Sequence, residues 1–263
     1  MRAAVSSALL PAGSAAAGPG APAASGVVLT SPMVGAPSDK SGRANSPGRD
    51  RTVGNVVSMV APVRSSPRIL PARPLLAAGT MVSLTALLWV LEFYDQFTGG
   101  RLDNDGIVPR TPAGLEGILW APLLHAGWAH LIANTLPFLI FGFLVLANGI
   151  GRFVLVTAIV WVLGGLGVWL TAADNTVTIG MSGVIFGWLA YLLIRGFFAR
   201  SGTQIVLAVV LFLFWGGILL GVLPGQANVS WQGHLFGALA GVLAAWLVAP
   251  RRRRAPADGT LVG

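Results

Sequence analysis

From Leu75 onward the chain alternates apolar runs of about 17 to 22 residues with short polar or charged breaks. At 1.5 Å per residue, that length carries a helix across roughly 30 Å of hydrocarbon. Six such runs occur: Leu75 to Phe93, Leu131 to Ala147, Phe153 to Ala172, Ser182 to Ala199, Gln204 to Leu223 and His234 to Val248. The last is short and needs flanking residues to complete a crossing. All are too long for barrel strands, and lipid offers no partner for unpaired backbone groups, so the spans must be helical. The pattern predicts an all-α polytopic membrane protein with six transmembrane helices.

Upstream, residues 1 to about 70 are rich in Ala, Gly, Pro and Ser, with scattered charges and no apolar period. Such a segment cannot bury enough surface to offset the cost of ordering, and it is expected to be a disordered tail. Arg2 and the stretch Ala3 to Leu10 have the order of a signal peptide, but the apolar part is short, interrupted and stopped by Pro11. Its Arg-rich, acid-poor composition also fits a transit peptide, and Met33 or Met59 is an alternative start. The expected division is a tail over 1–70, a membrane domain over 71–250 and a basic tail over 251–263.

Composition agrees: 54% of residues are hydrophobic and 10% charged, against roughly a quarter charged in soluble domains. A net charge of +8 raises the question of a nucleic-acid partner. The placement of the arginines answers it. With the N-terminal tail inside, one side receives Arg64, Arg68, Arg73, Arg152, Arg195, Arg200 and Arg251 to Arg254. The other side receives Arg101 and Arg110 beside Asp95, Asp103, Asp105, Glu116 and Asp174. This is the positive-inside pattern, so both termini are expected to be cytoplasmic and the protein a multi-pass component of the cell membrane. Arg251 to Arg254 then serve as a stop signal that also touches anionic lipid, and no nucleic-acid partner is expected. The long exoplasmic segment from Tyr94 to Trp128 mixes charges with Leu115, Ile118, Leu119, Trp120, Leu123 and Leu124. It is read either as partly interfacial or as a plain surface loop.

With no cysteine in the chain, disulfides, thiolate metal sites and a cysteine nucleophile are excluded. The three histidines, His125, His130 and His234, all fall at or just inside the exoplasmic ends of spans, where ionisable groups are functional candidates. Ser182 opens the fourth span and His234 the sixth, both running inward, so the two lie at similar depth and are free to meet. Ser182 sits in Gly180-Met181-Ser182-Gly183, where glycines allow a tight turn and a helix N-terminus offers free N–H groups to an anion. The same four residues serve equally well as an N-cap with packing glycines.

His130 and Asn134 share a helix face, about 40° apart, and can present two donors to a developing oxyanion or form an interhelical polar clasp. His125 lies in the loop before that span. Zinc is disfavoured, because the spacing of His125 and His130 is not that of HExxH and no carboxylate is nearby as base. No run contains an aspartate, which removes an intramembrane aspartate pair. Gly233, Gly237 and Gly241 form a small-residue ridge beside His234, suited to close approach by another helix.

Taken together, His125-Ala-Gly-Trp-Ala-His130-Leu-Ile-Ala-Asn134, Gly180-Met-Ser182-Gly183 and Gly233-His234-Leu-Phe-Gly237-Ala-Leu-Ala-Gly241 resemble the signature stretches of rhomboid intramembrane proteases in order and spacing. The resemblance covers about residues 75 to 250. It implies that Ser182 is the nucleophile and His234 its general base, without a carboxylate third member. It further implies an oxyanion hole of His130, Asn134 and the Ser182 backbone N–H, a loop-organising His125, and an aromatic Phe186 stacked on His234. Two departures stand out. The family's Trp-Arg pair is not at its expected distance before His125, where Glu116 and Gly117 stand, and Gly233 replaces the usual alanine.

The implied activity is hydrolysis of peptide bonds in or near transmembrane segments of membrane-protein substrates, without cofactor or metal. Substrate and bilayer are then the partners, and the residues set no oligomeric state. Two alternatives come from other classes: an inactive rhomboid-like protein that binds membrane clients, and a small transporter relaying protons through its histidines.

Overall fold

Pro74 opens the first helix, where its missing N–H costs nothing and its fixed φ suits the first turn. This helix, α1 (Pro74–Thr98), is closed by Gly99 in the left-handed conformation, φ 81°. The computed structural model describes residues 68–249; apart from residues 68–70, the expected tails, with Arg251 to Arg254, lie outside them. After α1 come the short α2 (Pro112–Trp120), then α3 (Trp128–Val145), α4 (Ile150–Thr171), α5 (Ser182–Ala199), α6 (Gly202–Trp215) and α7 (Trp231–Leu247). Tight 3-10 turns continue α3 over Leu146–Asn148 and α6 over Gly216–Val222. No strand forms among the described residues; Ile107 and Thr178 make one isolated antiparallel bridge.

Five helical segments are long and apolar enough to cross a membrane: Pro74–Thr98, Trp128–Asn148, Ile150–Thr171, Ser182–Ala199 and Gly202–Val222. The sixth run forms α7, whose 17 residues span about 25 Å. α7 packs against both α4 and α5. Large apolar side chains cover the outside of the bundle: Leu75 is 88% and Phe214 77% exposed. In water such a surface drives association, whereas lipid leaves it satisfied.

Lipid tails are as apolar as leucine, so the hydrophobic effect cannot hold these helices together, and close packing must. α5 is the most enclosed element, with Leu189 and Leu192 fully buried. Trp188 stacks on Phe138 at 5.3 Å and donates from Nε1 to Thr157 Oγ1 at 3.1 Å. Glycines set the separation of α5 and α7. A Cβ on Gly237 would stand 2.1 Å from the Gly183 carbonyl oxygen, and one on Gly241 2.0 Å from that of Gly187. α6 contrasts with this, burying only Gln204, Ala208 and Leu211.

The segment between α1 and α3 is folded rather than a plain loop. Thr111 caps α2 by accepting the Gly114 N–H at 3.0 Å. Trp161 and Trp169 of α4 donate to the carbonyls of Ile118 and Thr111 at 2.7 and 2.8 Å. Arg110 pairs with Asp174 and donates to the Leu170 carbonyl. These contacts tie the segment to α4. Leu115, Leu119 and Trp120 stay exposed on α2, giving it the apolar outer face of an interfacial helix.

One expectation fails. α1 runs past Phe93 to Thr98, so Asp95 lies within the first span, 3% exposed. The reason is local pairing: Asp95 Oδ1 accepts the Leu102 N–H at 2.7 Å, and Gln96 Nε2 donates to Glu92 Oε1 at 2.8 Å. Asp103 joins these two acids. Burial pushes its carboxyl up to about 6, with the Asp95 and Glu92 charges adding to the effect. Unfolded, it titrates at its ordinary 3.8. As pH rises from about 4 to about 6, ionisation therefore favours the unfolded chain and stability falls. Asp103→Asn is expected to flatten this decline, read as Tm against pH in detergent; parallel slopes in the two proteins would contradict it.

Candidate functional site

Ser182 and His234 meet at the end of the bundle where α5 and α7 begin. Ser182 is the first residue of α5, while His234 stands in the first turn of α7, whose N-cap Ser230 accepts the Gly233 N–H. The Ser182 hydroxyl donates to His234 Nε2 at 3.0 Å. On the far side of the ring, Nδ1–H donates to the Gly221 carbonyl, also at 3.0 Å. A carbonyl can only accept, so the proton is fixed on Nδ1 and Nε2 is left as a lone-pair acceptor for the serine. Phe186, one turn into α5, lies flat on the imidazole with 3.9 Å between ring centres and 6° between planes.

The N-cap position of α5 belongs to Met181, and Ser182 makes no capping bond. The capping alternative for Ser182 therefore falls away. As the first residues of a helix, Ser182 and Gly183 keep N–H groups without intrahelical partners, at the positive end of the helix dipole.

Gly180 has φ 121°, and a Cβ there would lie 2.6 to 2.7 Å from Cε1 and Nε2 of His130. Only glycine lets the His130 ring come this close to the segment entering Ser182. His130 Nδ1 accepts the Ala126 N–H at 3.3 Å, which leaves its proton on Nε2, at the edge facing Gly180. Asn134, one turn further along α3 and buried, gives one amide hydrogen to the His130 carbonyl at 3.0 Å and keeps the other. His125, in the loop before α3, accepts the Met181 N–H at 3.5 Å and meets the His130 ring edge-on. Burial lowers its imidazole to about 3, with His130 adding to the effect, so it stays neutral.

The residues singled out from the sequence thus fall into one cluster, with Gly183, Gly237 and Gly241 forming the seam that holds α5 to α7. Two participants were not foreseen, and both act through backbone carbonyls: Gly221, which takes the His234 Nδ1 proton, and Ala121, which accepts the Gly180 N–H at 2.7 Å. Any residue type supplies a carbonyl, so composition gives little sign of them. The one trace is that residue 221 is glycine, where a Cβ would stand 2.8 Å from His234 Nδ1.

Residues 114–251, just over half of the 263-residue chain, match the model of the Rhomboid domain. The chain belongs to the rhomboid family. This rhomboid is 52% identical over 186 residues to an uncharacterised protein of Mycobacterium tuberculosis, a match covering 68% of this chain and 78% of that one. An uncharacterised Mycobacterium leprae protein is 49% identical over 183 residues, 66% of this chain and 72% of its own. A Bacillus subtilis protein, provisionally named a rhomboid protease, is 28% identical over 138 residues, covering 50% and 66%. The family and the apolar helices together make this rhomboid a multi-pass membrane protein. Among the described residues, no three His, Cys, Asp or Glu side chains are arranged to hold a metal.

Proposed function

We propose that this rhomboid is an intramembrane serine protease that hydrolyses peptide bonds in or near transmembrane segments of other membrane proteins. The observation that carries the reading is the 3.0 Å contact from Ser182 Oγ to His234 Nε2, with Nδ1 already committed to Gly221. In this mechanism Ser182 Oγ attacks the substrate carbonyl carbon while its proton passes to His234 Nε2. The carbonyl oxygen becomes an oxyanion, met by His130 Nε2–H, the free Asn134 amide hydrogen and the first N–H groups of α5. His234 returns the proton to the leaving amine, and water, activated by the same imidazole, then releases the acyl group. The Gly221 carbonyl stabilises the imidazolium between these steps, and the Phe186 face adds a cation–π contribution of about 0.5–2 kcal/mol.

The proposal includes six crossings of the cell membrane, α7 being the sixth, with both termini cytoplasmic and the site at the exoplasmic end. Placing Arg152, Arg195 and Arg200 on the inner side supports that orientation. The test is cleavage of a model single-span substrate by the detergent-purified protein. Ser182→Ala and His234→Ala are each expected to lower kcat roughly 10⁴-fold or more. A folded wild type that cleaves no substrate and takes up no serine-directed phosphonate would leave the client-binding alternative in its place.

A further inference from the structure

Among the described residues, four hydrogen bonds fasten the segment that enters Ser182, and each runs to a residue between Ile107 and His125. Ile107 and Thr178 exchange a pair, N–H to carbonyl, at 2.9 and 3.0 Å. The Gly180 N–H reaches the Ala121 carbonyl at 2.7 Å, and the Met181 N–H reaches His125 Nε2 at 3.5 Å. The Gly180 bond is the shortest of the four and lies two residues before the nucleophile, where φ is 121°. The position of Ala121 therefore decides the position of the peptide groups that lead into Ser182.

Ala121 is seated in a small apolar cluster separate from the main core. Ile107, Ile118, Ala121, Val168 and Ala172 are buried together there, with Trp161 and Trp169 packed against them. The cluster thus holds both Ile107 and Ala121, whose main chains take three of the four bonds. One face of α4, presenting Trp161, Gly165 and Trp169 at intervals of four residues, lies beneath it. A Cβ on Gly165 would stand 2.6 Å from Ile118 Cγ2, so the Ile118 side chain rests directly on the α4 backbone. Trp161 Nε1 donates to the Ile118 carbonyl at 2.7 Å, in the last turn of α2 and three residues before Ala121. Trp169 makes a like bond of 2.8 Å to the Thr111 carbonyl, at the opposite end of α2. The two tryptophans hold one helix, but Trp161 holds the end that carries Ala121.

We infer that Trp161 is a positioning residue for Ser182: through the Ile118 carbonyl it fixes the end of α2, and through the Ala121 carbonyl that end fixes Gly180 and the approach to the nucleophile. The catalytic consequence rests on the protease reading, whereas the Gly180 bond requires no turnover. Trp161→Phe keeps an aromatic ring and removes the donor, and Trp169→Phe does the same at the far end of α2.

Two measurements on the full-length protein in detergent test this. Ile-Gly occurs twice in the chain, at Ile150-Gly151 and Ile179-Gly180. Labelling isoleucine carbonyls with ¹³C and glycine amides with ¹⁵N therefore isolates the Gly180 amide beside an internal reference. Wild type and Trp169→Phe are expected to show a hydrogen-bonded Gly180 proton that exchanges slowly. In Trp161→Phe that proton should exchange about tenfold faster or more, with Gly151 unchanged. An unchanged Gly180 amide in folded Trp161→Phe overturns the inference, whether or not the protein cleaves anything. For cleavage of the single-span substrate, Trp161→Phe is expected to lower kcat by roughly 10- to 100-fold, the upper figure being the cost of a misplacement of about 1 Å. KM should stay nearly constant, and Trp169→Phe, with a similar loss of Tm, should keep most of its kcat. Equal falls of kcat in the two variants would assign Trp161 to general stability and reject the positioning role.

Discussion

Gly237→Ala is expected to separate α5 from α7 and to cost both stability and activity. The added Cβ would stand 2.1 Å from the Gly183 carbonyl oxygen, a backbone atom that cannot swing aside. Relief requires a shift on the order of 1 Å, and overpacking of this kind costs roughly 1–3 kcal/mol. Gly183 is the neighbour of Ser182, and Gly237 lies one turn beyond His234, so the shift falls directly on the 3.0 Å contact between nucleophile and base. A 1 Å misplacement at such a contact costs about 10²-fold in rate. Thermal unfolding and cleavage should fall together in this variant. Gly79→Ala is the control: nothing lies within 4 Å of its Cβ position, and the substitution should leave activity intact and raise helix stability by up to about 1 kcal/mol. Equal Tm and kcat for Gly237→Ala and wild type would refute the glycine-seam account of this fold.

The second large effect is expected at the proposed oxyanion hole. His130→Ala and Asn134→Ala should each lower kcat by roughly 10²–10³-fold, the cost of one lost donor, while KM changes little because the negative charge develops only in the transition state. The Ser182–His234 contact should persist in both variants, since neither His130 nor Asn134 bonds to that pair. The two losses need not add, because Asn134 is itself anchored on the His130 carbonyl. Kinetics on a single-span substrate separate kcat from KM. A raised KM at constant kcat would instead make His130 and Asn134 substrate-binding groups.

Several features were legible in the sequence because they depend on local period or residue type. Apolar runs located the helices, since crossing lipid demands both length and internally paired backbone. Gly183, Gly237 and Gly241 marked places where backbone approaches backbone, and Gly180 a place where the backbone meets the His130 ring. Boundaries were less legible. α1 extends to Thr98 and carries Glu92 and Asp95 inside the fold, where Gln96 and the Leu102 N–H each bond one oxygen of the two carboxyl groups, and the Leu102 partner comes from the turn after the helix. The long segment before α3 was ambiguous for the same reason: α2 is fixed by Trp161, Trp169 and Arg110, contacts made across 43 to 64 residues.

What the sequence determined by itself is a set of apolar helices, the residue types able to carry chemistry, and their depth near one face. Period and composition are sufficient for that, because each helix satisfies its own backbone. The tertiary structure alone decided which ring nitrogen of His234 faces Ser182, because that follows from the Gly221 carbonyl, a backbone atom brought from the turn after α6. It also decided the donor edge of His130 through the Ala126 N–H. Tautomer and direction depend on partners distant in sequence or contributed by the main chain, and neither leaves a mark on residue type.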